Sequence, residues 1–304
     1  MSVHYGIDLG GTRVKVLAVD AIGEILQESS APTHVAQGAS GLSASVREAL
    51  APLEAQFECV ESVGICAPGL ADPSGACIAW MPGRLQGLEQ LNWAVALERP
   101  EGVPVLNDAQ AALLGEVWQG AARGCRDVLL LTLGTGVGGA ILANGEILRG
   151  KLGRAGHVGH LSIRPEGALG ITGLPGTLEQ TLSESAFAGR FPEGVEDVQG
   201  LLHTLDSNAA ARALWEQSIQ EFGRGLAGLI NVLDPDRIVL GGGVSNAGEA
   251  LLAPLRAALD TYEWRPGGAC VDLALAELGE RAGAFGAARE GMLRLRHQPT
   301  QLPS

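Results

Sequence analysis

Two stretches decide the fold: Tyr5-Gly-Ile-Asp-Leu-Gly-Gly-Thr12, continuing into an apolar run at 14–19 and then Ile22-Gly-Glu-Ile25, and Thr132-Leu-Gly-Thr-Gly136, continuing into Ala140-Ile-Leu142 and then Asn144-Gly-Glu-Ile147. In each, an apolar strand breaks at a glycine turn, a second apolar strand follows, and a Gly-Glu turn opens a third. Each pattern predicts an antiparallel meander. Duplication of one strand-turn-strand unit is the economical reading, with two unrelated Gly-rich hairpins as its competitor.

Working outward, an amphipathic helix is predicted over 43–56 and a buried strand over 60–66 that ends in Ala67-Pro68-Gly69. A further strand at 103–106 delivers Asn107-Asp108 to the start of a helix running through Ala111, Leu114 and Val117. Beyond the second meander lie a glycine-dense segment at 150–176, helices within 209–229, and a strand at 237–240 that enters Gly241-Gly-Gly243. Asn246 and Glu249 are spaced like a helix cap, which predicts a helix from about residue 248. A last helix follows at 284–296. These elements divide the chain into a small lobe at 1–114, rejoined by a C-terminal helix at 284–298, a large lobe at 115–283, and a frayed tail at 299–304.

A chain of 304 residues with 46% apolar content is large enough for two cores, and a cleft between lobes is the natural place for a ligand. Asp and Glu outnumber Lys and Arg by 34 to 21, giving a formal charge of -13 without a basic cluster, so nucleic acid is not an expected partner. The five cysteines are odd in number and form no CxxC pair, which argues against a disulfide framework or a metal knuckle. A cytoplasmic location is expected. A strand pattern within the first few residues leaves no room for a signal core, and no apolar run is long enough to span a bilayer.

Gly10-Gly11-Thr12 and Gly134-Thr135-Gly136 follow buried strands and can present backbone N–H groups to a phosphate chain. Neither is a Walker loop, and either alone reads equally as a tight hairpin. Asp8, immediately before the first turn, can orient Mg²⁺ through water or simply bond to the turn backbone. One residue of the Asn107-Asp108 pair suffices as a helix cap, which frees the other for chemistry. A carboxylate there is a weak base. Phosphoryl transfer through a loose transition state needs little more than that, because positioning and electrostatics carry most of it. The triple glycine at 241–243 either lets a helix pack closely on a sheet or leaves flat space for a purine.

Taken together and in this order, Gly6-Ile-Asp-Leu-Gly-Gly-Thr12, Asn107-Asp108, Leu133-Gly-Thr-Gly-Val-Gly-Gly139, the segment 153–160 and the segment 231–243 resemble the ROK family of sugar kinases and repressors over nearly the whole chain. The resemblance implies an α/β, actin-like ATPase (ribonuclease H-like) fold of two duplicated lobes around a central cleft, using ATP and Mg²⁺. It implies phosphoryl transfer to a hexose hydroxyl, the 6-hydroxyl of glucose first, with Asp108 as catalytic base. Asn107, His157, His160, Glu179 and Gly69 are then the substrate side. Asp8, Gly10, Gly11, Thr12, Thr135 and Gly136 are the phosphate side, and Gly241 and Gly242 adjoin the adenosine. A homodimer or homotetramer is implied as well.

Three departures from the family pattern bear on substrate. His157-Val-Gly-His160 stands where the family usually carries Glu-x-Gly-His. Gly170, Thr172 and Thr177 stand where many members carry three zinc cysteines, so no structural zinc is expected. Pro82-Gly83-Arg84 stands where many offer an asparagine. The histidines at 157 and 160 read otherwise as one turn of structural hydrogen bonding. An N-acetylmannosamine or other amino-sugar kinase is the alternative within the class. Outside it are a non-catalytic sugar sensor and a repressor, the latter requiring a helix-turn-helix ahead of the first strand.

Overall fold

The computed structural model describes residues 2–297; the expected tail at 299–304, like residue 298 of the last helix, lies outside them. The chain opens with β1 (His4–Leu9), β2 (Arg13–Val19) and β3 (Ile25–Pro32), a meander with β1–β2 and β2–β3 antiparallel. Helix α1 (Gly38–Glu54) follows, its buried Leu42, Val46, Ala49 and Leu53 recurring at helical spacing and facing the sheet. Next come β4 (Ser62–Ala67), the short hairpin of β5 (Leu70–Ala71) and β6 (Ile78–Trp80), the single turn α2 (Trp93–Ala96), β7 (Val105–Asn107) and α3 (Asp108–Gln119). β4 runs parallel to both β1 and β7, which gives a five-stranded sheet in the order β3-β2-β1-β4-β7.

The same plan recurs. β8 (Val128–Leu133), β9 (Val137–Ala143) and β10 (Glu146–Ile147) form the second antiparallel meander. After the glycine-dense segment come α4 (Glu184–Phe187), α5 (Val198–His203), α6 (Ala209–Leu233), β11 (Arg237–Gly241), α7 (Glu249–Tyr262) and β12 (Asp272–Leu275). β11 is parallel to β8 and β12, so the second sheet has the order β10-β9-β8-β11-β12. Strand for strand this matches the first sheet: three antiparallel strands, then two more in parallel. Asn208 caps α6 by accepting from the N–H groups of Ala210 and Ala211, and Trp215, Ile219, Phe222, Leu226 and Ile230 line its buried face. The chain closes with α8 (Ala282–His297).

Contacts divide the chain into two compact units, one holding the residues up to Gly124, Arg149–Ala155 and the chain from Glu277 on, the other Cys125–Leu148 and Gly156–Ala276. These cuts differ from the expected ones at 114 and 283 for physical reasons. A cut at 114 would sever α3, which continues unbroken to Gln119. The buried Glu116 carboxylate on α3 accepts the N–H groups of Ala121, Glu277 and Leu278, tying the returning chain to the first unit before α8 begins. Arg149 reaches Glu290 of α8 at 2.8 Å, which draws its short segment into the same unit. α8 itself lies close on β1 and α3 because glycines let it. An added Cβ at Gly6 would stand 1.8 Å from the Ala284 carbonyl oxygen, and one at Gly286 1.8 Å from that of Ala111.

Other boundaries moved too. α1 begins five residues before the expected 43, hidden in sequence by weak helix formers at Gly38, Ser40 and Gly41. β3, opened by the Gly-Glu turn, runs to Pro32. Asn246 is not a helix cap: it lies in a 3₁₀ turn, Gly243–Ala247, and Gly248 at φ +59° leads into α7. Among the described residues no helix is long and apolar enough to cross a membrane.

Candidate active site

On the first unit, three parallel strands end side by side, with Asp8 opposite Cys66 and Ala67 opposite Asn107. Carboxyl ends of parallel strands are where α/β sheets bind ligands. Asn107 caps α3: its Oδ1 accepts from the N–H groups of Ala109 (2.9 Å) and Gln110 (3.4 Å), while Gln110 returns its Oε1 to the Asn107 N–H at 3.3 Å. Its Nδ2 donates to the Gly69 carbonyl at 2.8 Å. The buried asparagine therefore ties down the connection between β4 and β5 at Gly69. Asp108, the first residue of α3, stays exposed, and its Oδ1 accepts from the Ala109 N–H at 2.8 Å.

Asp8 is enclosed. The Cys66 thiol lies 3.5 Å from its Oδ1, and Gly283 in the first turn of α8 leaves room for it: a Cβ there would be 3.1 Å from the carboxylate. Burial above all, reinforced by the negative Asp108, pushes Asp8 up to about 6 against the opposing pull of Cys66 and Lys15. Burial and the same two carboxylates hold the Cys66 thiol well above its ordinary value. Lys15, the cross-strand partner of Asp8, is paired with Glu280 at 2.6 Å. Beyond Asp8, the Gly10 N–H closes the turn onto Arg13 O at 3.0 Å, and Gly11 and Thr12 stand exposed at its tip. Thr33 clamps the turn, its hydroxyl donating to Gly10 O and its N–H to Thr12 O.

Other residues expected to be functional lie on the second unit. The Gly134 N–H closes its turn onto Gly136 O at 3.0 Å, as Gly10 does in the first, and Thr135 is exposed. Glu179 is buried, and its Oε2 accepts the Val137 N–H at 3.1 Å; a Cβ on Gly136 would come within 2.2 Å of that oxygen. Val137 follows Gly136 directly, so the carboxylate is seated under the turn. His157 precedes and His160 ends a 3₁₀ turn, Val158–His160, with their rings stacked 6.4 Å apart, and the Leu178 N–H donates to Leu161 O, bringing the segment of Glu179 back beside them. Gly241 ends β11, and Gly242, next in the chain at φ +87°, lies on the backbone of Leu133.

Sequence reasoning missed Cys66, Lys15, Gly283 and Glu184. Lys15 follows from strand alternation once β1 and β2 are paired through Asp8 and Lys15; the others depend on contacts 58 or more residues apart, or, for Glu184, on a loop's path.

An actin-like ATPase is the class these paired sheets and glycine turns define. The ROK family profile matches residues 4–289, and the chain belongs to the ROK family. It is 33% identical to a glucokinase of Halalkalibacterium halodurans over 93% of both chains, and 31% identical to an N-acetylmannosamine kinase of Salmonella newport over 93% of this chain and 96% of that one. A crystal structure of a ROK family glucokinase from Streptomyces griseus in complex with glucose and AMPPNP superposes with a TM-score of 0.78, at 30% identity, covering 96% of this chain and 100% of the other.

Proposed function

We propose that this ROK sugar kinase transfers the γ-phosphoryl group of ATP to the 6-hydroxyl of a hexose, glucose first, with Asp108 as base. The observation that carries the reading is Asp108 itself. It is an exposed carboxylate whose expected capping duty is performed by Asn107, one residue after a strand end and beside a second carboxylate. As the sugar oxygen attacks the γ-phosphorus, Asp108 takes its proton. Asn107 has a second N–H on Nδ2, and Glu179 a free choice of acceptor on Oε1, for sugar hydroxyls. The phosphate-side role is assigned to Gly11 and Thr12 at the turn of the first unit and to Thr135 and Gly136 at the turn of the second, where backbone N–H groups can meet phosphate oxygens.

Two metals must be weighed. Asp8 fits Mg²⁺ held through water: a half-buried carboxylate under the field of a second carboxylate, Asp108, is short of positive charge. When bound, the ion supplies neutralisation of the phosphate oxygens. Zinc is different. At the positions of the family's three thiolates, Gly170 offers no side chain, and Thr172 and Thr177 offer hydroxyls, so the residues do not fit it. The purified protein should contain no stoichiometric zinc by elemental analysis, and one tightly held zinc per chain would show that those positions are misassigned.

The test of the substrate is a coupled assay with ATP and Mg²⁺ over glucose, N-acetylmannosamine, fructose, allose and N-acetylglucosamine. No turnover with any of them would favour a sensor. His157 favours an amino sugar as the second reading. A carboxylate only accepts and can grip two hydroxyls, whereas a neutral imidazole offers one donor and one acceptor, the donor suiting an acetamido carbonyl. His157→Glu should raise kcat/KM for glucose relative to N-acetylmannosamine by about 1–3 kcal/mol, roughly 5- to 150-fold. An unchanged ranking with activity preserved would make His157 structural.

A further inference from the structure

β8 and β11 are parallel, with Gly241 opposite Thr132, so the turns that end them, 134–136 and 241–243, lie side by side. Gly242 fixes the spacing: a Cβ there would stand 2.5 to 2.8 Å from the backbone of Leu133, which excludes any other residue. Between the two turns stands a carboxylate that the proposed chemistry does not use. Glu184 opens α4, and its N–H donates to Gly134 O at 2.8 Å, while the Ser185 N–H donates to Thr135 O at 3.1 Å. Its side chain spans the gap. Oε2 accepts from the Thr135 hydroxyl at 3.3 Å, and Oε1 lies 3.4 Å from where a Cβ on Gly243 would be.

A bare carboxylate beside a phosphate-binding turn works against anion binding unless it faces a group that only needs acceptors. A ribose supplies such a group. Its two vicinal hydroxyls donate to the two oxygens of one carboxylate, the arrangement by which dinucleotide folds hold their ribose. We propose that Glu184 is the ribose-binding residue of this site, receiving the 2′- or 3′-hydroxyl of the nucleotide between the phosphate turn and the purine turn. The bland alternative is a charge at the start of α4, which would interact with the helix dipole; α4 has only four residues, so that contribution is small. The Thr135 hydroxyl and the backbone bonds of α4 hold the carboxylate where it is needed, so little reorganisation accompanies binding.

The inference rests on the assignment of the two turns to ATP, and the experiment separates the two. Calorimetric titration of ADP, 2′-deoxy-ADP and 3′-deoxy-ADP into the wild type should show ADP binding about tenfold or more tighter than at least one deoxy analogue, the weight of a charge-assisted hydrogen bond. Glu184→Ala should erase that ratio while leaving the affinity for the weaker analogue near wild type, and Glu184→Gln, which keeps one acceptor, should fall between. A wild type that binds all three equally, or an alanine variant that still discriminates, overturns the role of Glu184 alone. A wild type that binds none of them overturns the assignment of the turns as well.

Discussion

Asp108→Asn is expected to lower kcat by about two orders of magnitude or more, the usual weight of a positioned general base, with ADP affinity and melting temperature close to wild type. The separation of effects follows from the geometry. The cap of α3 belongs to Asn107, so the substitution leaves its bonds to Ala109 and Gln110 intact. An asparagine at 108 can still accept the Ala109 N–H that the Asp108 Oδ1 now accepts. What is lost is one negative charge in the first turn of a helix, about 0.3–1 kcal/mol at an exposed site, and against it stands the repulsion relieved at Asp8. Steady-state kinetics on the best sugar, beside a thermal melt and an ADP titration, checks all three. Near-normal turnover would remove Asp108 from the mechanism, and a collapse of the melting temperature would make it structural.

The duplicated sheets were legible because their signal is local. A glycine turn between two apolar strands reads the same wherever it occurs, and both meanders gave the strands that the structure shows in matching order. The Asn107 cap was legible for the same reason, since a cap involves residues only two or three apart. What escaped depends on distance along the chain. No pattern announces that Glu116 holds the backbone of Glu277 and Leu278, and hence that the first unit reclaims the chain before α8 starts. β12 carries its register only through β11, 35 residues earlier at Arg237 and Asp272. At the site, Asp8 and Glu179 stood out as carboxylates in recognisable motifs. That Glu179 is seated under the Gly136 turn, and that Glu184 bridges two turns, are consequences of how the loop 148–183 returns, and glycine-rich loops leave little periodicity to read.

Asp8→Asn should trade in the opposite direction from most substitutions, losing about 10²–10³-fold in kcat while raising the melting temperature of the metal- and nucleotide-free protein. The Asp8 carboxylate lies in a tight, partly desolvated place, with the Cys66 thiol as its near donor, Gly283 of α8 against it, and Asp108 adding like charge. Lys15, whose charge lowers Asp8, is drawn toward Glu280 at 2.6 Å. An asparagine is almost the same size, keeps an oxygen for the thiol, and removes the charge that burial disfavours. A gain on the order of 1–2 kcal/mol at neutral pH, a few degrees in a melt, is the expected size. The catalytic loss has the same origin, because a carboxylate kept ionised at a cost to the fold is worth keeping only where positive charge arrives with the substrate. Thermal melts with and without Mg²⁺ and ADP test that link: the two ligands together should stabilise the wild type more than the variant. A variant that melts lower than wild type in the absence of ligands would mean that Cys66 and Lys15 already satisfy the carboxylate, and unchanged turnover would place Asp8 outside the reaction.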